Sequence, residues 1–164
     1  MRRIAFACLP AVLILAIAPI SSAKVLRVGS YKGVAGQFGS IQAAVNAAKP
    51  GDWILVGPGD YKTKVGYKVK GNPALAGGVV VTKPNIYIRG MDRNKVIVDG
   101  TKPGSPVCSS KASDQNQGPR GLGSRLGLNG ILIYNADNVW VQNLTTCNFL
   151  GGAGESGNQI WWDA

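Results

Sequence analysis

No histidine occurs among the 164 residues of this chain. The commonest general base and the commonest nitrogen ligand for metals are therefore missing. Acidic residues are also few. Eight Asp and Glu stand against eighteen Lys and Arg, for a formal net charge of +10. They are Asp52, Asp60, Asp92, Asp99, Asp114, Asp137, Glu155 and Asp163, with no two close in sequence. Calcium takes about six to eight oxygens, several of them from carboxylates, so no metal site is expected and no cofactor is nominated. Cysteine is limited to three residues.

One long apolar run is present, and it lies at the start. Met1-Arg2-Arg3 is basic, Ile4 to Ile20 is apolar apart from Pro10 and Pro19, and Ser21-Ser22-Ala23 is small. That order is the pattern of a secretory signal over residues 1–23, cut after Ala23. The run is short for a membrane span and its prolines fit one poorly. Cys8 lies too early to mark a lipoprotein cleavage point and leaves with the signal. The mature chain from Lys24 is then secreted or on the cell surface, amounts to one domain, and has no integral membrane segment. A monomer is expected.

The mature chain stays basic. Acidic polysaccharide, anionic lipid and nucleic acid are the partners that such charge suggests, and plain solubility explains it equally well. Nucleic acid is set aside, because the basic residues are scattered and no recognition motif accompanies them. Outside the cytoplasm Cys108 and Cys147 can pair, which would stabilise the fold by roughly 4 kcal/mol in the loop-entropy account. Two free thiols are the alternative.

The stretch GSIQAAVNAAKPGDWILVGPGDYK, from Gly39, reads as a short helix, a stop and a strand. Ser40 can cap the helix. Ile41, Ala44, Val45 and Ala48 form one apolar stripe, with Gln42 and Asn46 off it. Lys49 suits the negative end of the helix dipole, and Pro50-Gly51 ends the helix. At about ten residues it is too short to stand alone. Short apolar strands follow, at 53–56, 79–81, 86–88, 96–98, 131–133, 139–141 and 159–162, after a first candidate at 25–28.

GVVVTKPNIYIRG, from Gly78, and GILIYNADNVWVQN, from Gly130, repeat one pattern: glycine, three aliphatics, a polar turn ending in asparagine, then apolar–aromatic–apolar. Units that cannot bury an apolar face alone point to a solenoid. Strands this short suit a parallel β-helix, with the helix lying as a lid on its first coil, where an open edge would otherwise invite pairing with other chains. The segment 101–129 is a long Gly/Ser/Pro-rich loop, of the kind that is usually functional or mobile.

SIQAAVNAAKPGDWILVGPGDYK closely resembles the N-terminal segment of right-handed parallel β-helix proteins of the pectin-lyase-like superfamily, and NIYIRG and NVWVQNL resemble its coils. The resemblance implies an all-β, right-handed parallel β-helix over 24–164 with a short N-terminal capping helix. It also implies a secreted protein that binds or acts on polysaccharide. A non-catalytic surface or structural β-helix is the alternative. Family lyases use clustered aspartates for calcium with a basic proton acceptor, and family hydrolases use paired aspartates with a Gly-His-Gly. Neither set maps onto this sequence, so catalytic residues stay unknown. Asp99 and Asp137 are the best candidate carboxylate pair. Family members run to more coils, and Ile160 to Ala164 end inside an apolar element with no closing cap. The expectation is therefore an N-terminal part, incomplete at its C-terminus.

Three clusters invite a binding reading. YKTKVGYKVK, from Tyr61, would place Lys62, Lys64, Lys68 and Lys70 on one face of a strand. That is an anion-binding strip or, more commonly, a solvated edge guarded by lysines. Trp161 and Trp162 would face opposite ways, and the outward one, beside Glu155 or Asp163, could stack a sugar ring. Packing of both rings is the plainer account. Asn138, Asn143 and Asn148, five residues apart, suggest a side-chain ladder. Asn143-Leu144-Thr145 matches a glycosylation acceptor.

Overall fold

A computed structural model describes residues 22–163. The expected signal segment lies outside them except for Ser22 and Ala23. The described residues are mostly short strands, with one α-helix and several sheets. In chain order the elements are β1 (Val25–Val28), β2 (Ser30–Tyr31), β3 (Val34–Ala35), α1 (Ile41–Ala47), β4 (Trp53–Val56), β5 (Gly59–Lys62), β6 (Tyr67–Val69) and β7 (Asn72–Val81). Then come β8 (Tyr87–Gly90), β9 (Val96–Asp99), β10 (Arg120–Gly121), β11 (Ser124–Arg125), β12 (Asn129–Tyr134), β13 (Trp140–Gln142), β14 (Thr145–Cys147) and β15 (Ile160–Asp163).

Three parallel ladders dominate. Their strand orders are β1-β4-β8-β13, β5-β9-β14 and β7-β12-β15, with β6 added antiparallel to β7. Strands β4, β5 and β7 thus lie under β8, β9 and β12, which lie under β13, β14 and β15. The repeat read in the sequence is this stacking: Val79, Val80 and Val81 pair with Ile131, Leu132 and Ile133, and Tyr87 pairs with Trp140. The longer second turn leaves the register intact.

Alternate side chains point inward because a strand has a period of two. Leu26, Ile54 and Ile88 are stacked in register, as are Val79 with Ile131 and Val81 with Ile133. All are buried in one core with Val96, Val98 and Phe149. Each such side chain contributes about 1.5–3 kcal/mol on burial. A second, smaller cluster of Val69, Leu75, Val80 and Leu132 lies on the other side of β7 and β12.

Helix α1 lies against β1, β4 and β7, with Ile41, Ala44, Val45 and Ala48 all buried as the stripe requires. Ser40 Oγ accepts from the Ala43 N–H. Three details differ from expectation. The helix has seven residues rather than about ten. Gln42 is buried, because its amide accepts from the Val80 N–H at 2.6 Å and donates to the Val80 carbonyl at 3.0 Å. The last carbonyls are satisfied from across the fold by Lys83 Nζ, which donates to Val45, Asn46 and Ala48 oxygens. Lys49 lies beyond the helix, and its N–H donates to the Asp52 carboxylate.

The asparagines at intervals of five are corner residues. Asn138, Asn143 and Asn148 all have φ between 53° and 57°, a conformation that asparagine tolerates better than most side chains. They do not stack on one another as a ladder, because each serves a different corner. Asn143 Nδ2 donates to the Gly90 carbonyl at 2.6 Å and Asn148 Nδ2 to that of Ser109 at 2.7 Å, while Asn138 Nδ2 donates to Asn85 Oδ1 at 2.7 Å. A Cβ at Gly90 would collide with the Asn143 carbonyl oxygen, so the layer above reads this glycine directly.

The segment 101–129 is pinned. It contains a turn of 3₁₀ helix at Ala112–Asp114 and the hairpin β10–β11. Cys108 and Cys147 are joined in a disulfide. Asn116 Nδ2 donates to the Thr63 carbonyl at 2.8 Å, and Leu126 and Leu128 are fully buried. Among the described residues no helix is long and apolar enough to cross a membrane.

Candidate functional site

The residues expected to contact sugar are only partly together. Trp161 pairs with Leu132 and packs, half-buried, against the small cluster on the outer side of β12. Trp162 pairs with Ile133 and is 51% exposed. The two rings do face opposite ways, but the exposed one is in register with the inner row, because β15 is the edge strand of its ladder. Asp163 pairs with Tyr134. Glu155 is held through its backbone, which donates to the Ala74 carbonyl and accepts from Asn129 Nδ2. Among the described residues neither the Glu155 nor the Asp163 carboxylate takes part in an ion pair.

The alternation expected for Tyr61–Lys70 breaks after Lys62, where β5 ends. Lys62 does not join a basic face. Its ammonium lies between Asp60 and Asp99, and the Asp99 Oδ2 contact is 2.9 Å. Asp99 is fully buried; it accepts from the Thr101 N–H at 2.8 Å and the Cys108 N–H at 2.7 Å. Burial alone would raise the Asp99 pKa, but the Cys108 amide, Lys62 and Thr101 outweigh it and hold it below the ordinary value. Burial likewise works against the Lys62 charge, yet hydrogen bonds to Asp60 and Asp99 leave its pKa raised. Lys62 is therefore a fixed cation, not a proton acceptor.

Lys62, Asp99 and Cys147 occupy one row across β5, β9 and β14. The cluster and the adjoining disulfide thus clamp 101–129 onto that ladder. Asp137 is on the surface in the turn before β13, so the expected Asp99–Asp137 pair does not form. Asp99 lies within 4.8 Å of both cysteine sulfurs, but a disulfide offers no thiolate for a metal. Three of the other acids also have structural partners. Asp52 accepts from the Lys24 and Lys49 N–H groups, Asp92 from that of Asn94, and Asp114 from the hydroxyls of Ser109 and Ser113.

Beside the cluster is a cavity of about 180 Å³, lined by Asp60, Tyr61, Lys62, Lys64, Tyr67 and Gln42 among others. The Tyr61 hydroxyl donates to the Gly57 carbonyl at 2.7 Å, and burial pushes its phenol pKa up.

The outer face of the β1-β4-β8-β13 ladder carries an aromatic row beside an arginine row. Trp53, Tyr87 and Trp140 form one row across it. Trp53 and Tyr87 stack with centroids 5.0 Å apart, and Tyr87 and Trp140 are tilted at 6.3 Å. Trp140 is 56% exposed, with its indole N–H held by Asn138 Oδ1 at 3.1 Å. The next outward row is Arg27, Leu55, Arg89 and Gln142. Both arginines are exposed, and neither joins an ion pair among the described residues.

Sequence reasoning missed this face, although its signal was present. The central aromatic of IYI and of VWV holds the same place in the repeat, and Trp53 opens the strand beneath. Compared with family models, curated proteins and solved structures, the chain matches none of them.

Proposed function

We propose that this chain forms a secreted right-handed parallel β-helix of the pectin-lyase-like type, and that it binds acidic polysaccharide on the outer face of the β1-β4-β8-β13 ladder. The observation that carries the binding reading is the aromatic row Trp53–Tyr87–Trp140 beside the arginine row of Arg27 and Arg89. Support for the solenoid comes from the strand order, in which successive segments each feed the same three parallel ladders.

Trp53 and Tyr87 spend their faces on each other, which leaves the Trp140 ring as the open stacking platform. Arg27 and Arg89 are two strands apart, or about 10 Å. A glycan laid across the strands would meet one ladder rung per sugar and place alternate carboxylates near the guanidiniums. Bidentate Arg–carboxylate pairing favours uronates over neutral sugars. Binding is favoured over catalysis because Asp52, Asp60, Asp92, Asp99 and Asp114 are committed to backbone, lysine or serine partners.

The test is to run the chain through native gels containing polygalacturonate or a neutral glucan, with a parallel assay of unsaturated uronate absorbance with and without calcium. Retardation by polygalacturonate alone, without product absorbance, is expected. Equal mobility in both gels would remove the binding reading. Calcium-dependent absorbance would replace it with catalysis.

A further inference from the structure

A second cavity, of about 270 Å³, opens where the β2–β3 hairpin folds beside the first ladder. Its walls are Tyr31, Val34, Leu55 and Met91, and its cations are Arg27 and Lys32. Among the described residues no carboxylate lines it. Among the described residues neither cation joins an ion pair, although Lys32 Nζ lies 5.5 Å from the Tyr31 ring centre. Val34, at the rim, is 56% exposed. Lys32 is placed by a left-handed turn with φ 48°, a conformation that is uncommon for a residue other than glycine.

We infer that this cavity is a binding site for a small aryl carboxylate, distinct from the glycan face although it shares Arg27 and Leu55 with it. Its volume falls just under the roughly 300–1,000 Å³ common for ligand pockets, which suits one ring rather than an oligosaccharide. Apolar walls would exclude water from the ring. The Met91 thioether and Tyr31 favour an aromatic body over an alkyl chain. These two cations, in no ion pair among the described residues, supply the counter-charge, with Arg27 offering a fork that matches a carboxylate. A neutral ring would leave that charge uncompensated, so the site discriminates by charge as well as by shape.

The experiment is calorimetric titration of the folded chain with cinnamate, its neutral amide and octanoate. Thermal melts verify that each variant is folded. Saturable one-to-one binding of cinnamate is expected, at least tenfold tighter than cinnamide and tighter than octanoate. Arg27→Gln should weaken it at least tenfold. Val34→Glu, an exposed change that sets an acid at the rim, should do the same. Lys111→Gln, far along the chain in the pinned segment, should leave it unchanged. Tighter binding of octanoate would reassign the site to acyl carboxylates. Absence of cinnamate binding, equal binding of the amide, or unchanged affinity in both folded pocket variants would overturn the inference. Because Val34 is outside the aromatic and arginine rows, its variant separates failure of this pocket from failure of the glycan face.

Discussion

Lys62 and Asp99 are register partners on adjacent parallel strands, with the Lys62 ammonium 2.9 Å from Asp99 Oδ2 beneath the segment 101–129. Removing one member of a buried pair leaves the other charge uncompensated, which typically costs about 3–5 kcal/mol. The two removals should differ. Without Asp99, Lys62 keeps Asp60 as a partner, but the Thr101 and Cys108 N–H groups lose theirs. Asp99→Ala is therefore expected to destabilise more than Lys62→Met and to expose 101–129 to protease. Denaturant unfolding and limited proteolysis of the two variants test this, and a larger effect from Lys62→Met would contradict the clamp.

The same pair sets a pH dependence at both ends. The Asp99 pKa is held below its ordinary value of 3.8, so its contribution is complete above that pH and is lost as pH falls through the lower folded value. The Lys62 pKa is raised above 10.5, so its contribution is complete below that pH and is lost as pH rises through the higher folded value. Thermal melts across pH should show a plateau with two falling limbs. Asp99→Asn should flatten the acid limb and Lys62→Met the alkaline one.

Much of this was legible in the sequence, for physical reasons. The short apolar runs marked most of the strands, and the repeat from Gly78 and Gly130 pointed to strands that stack, as Val79–Val81 and Ile131–Ile133 do. Ser40 and the apolar stripe gave the helix and its buried face. What failed was reading polar residues as surface. Gln42 looked off-stripe and Lys62 looked like part of a basic face, yet Gln42 is buried and the Lys62 side chain is largely covered, because a distant partner satisfies each: Val80 for Gln42 and Asp99 for Lys62. Such partners are 37 or more residues away, beyond local periodicity. Segment 101–129 looked loose for the same reason, since its anchors at Asp99, Thr63 and Cys147 lie outside it.

Helix α1 supplies a contrast between neighbours. Val45→Asp puts an unpaired charge into the core and should cost about 3–5 kcal/mol. Gln42→Leu strips the Val80 amide and carbonyl of their partner and should cost about 1–3 kcal/mol. Asn46→Asp is exposed and can still accept from Gln42 Nε2, so its effect should stay within about 0.5 kcal/mol. Chemical unfolding of the three variants should give that order, and equal shifts for Val45→Asp and Asn46→Asp would contradict the placement of α1.

Binding of an acidic glycan to the arginine and aromatic rows is tested most directly by titrating the chain with a purified oligogalacturonate while following tryptophan fluorescence at two salt concentrations. A saturable change centred on Trp140 is expected, weaker at high salt because exposed charges are screened. At least a tenfold loss of affinity is expected in the folded Arg27→Gln/Arg89→Gln double variant. Binding that ignores salt, or that the double variant retains in full, would contradict acidic-glycan recognition by these rows.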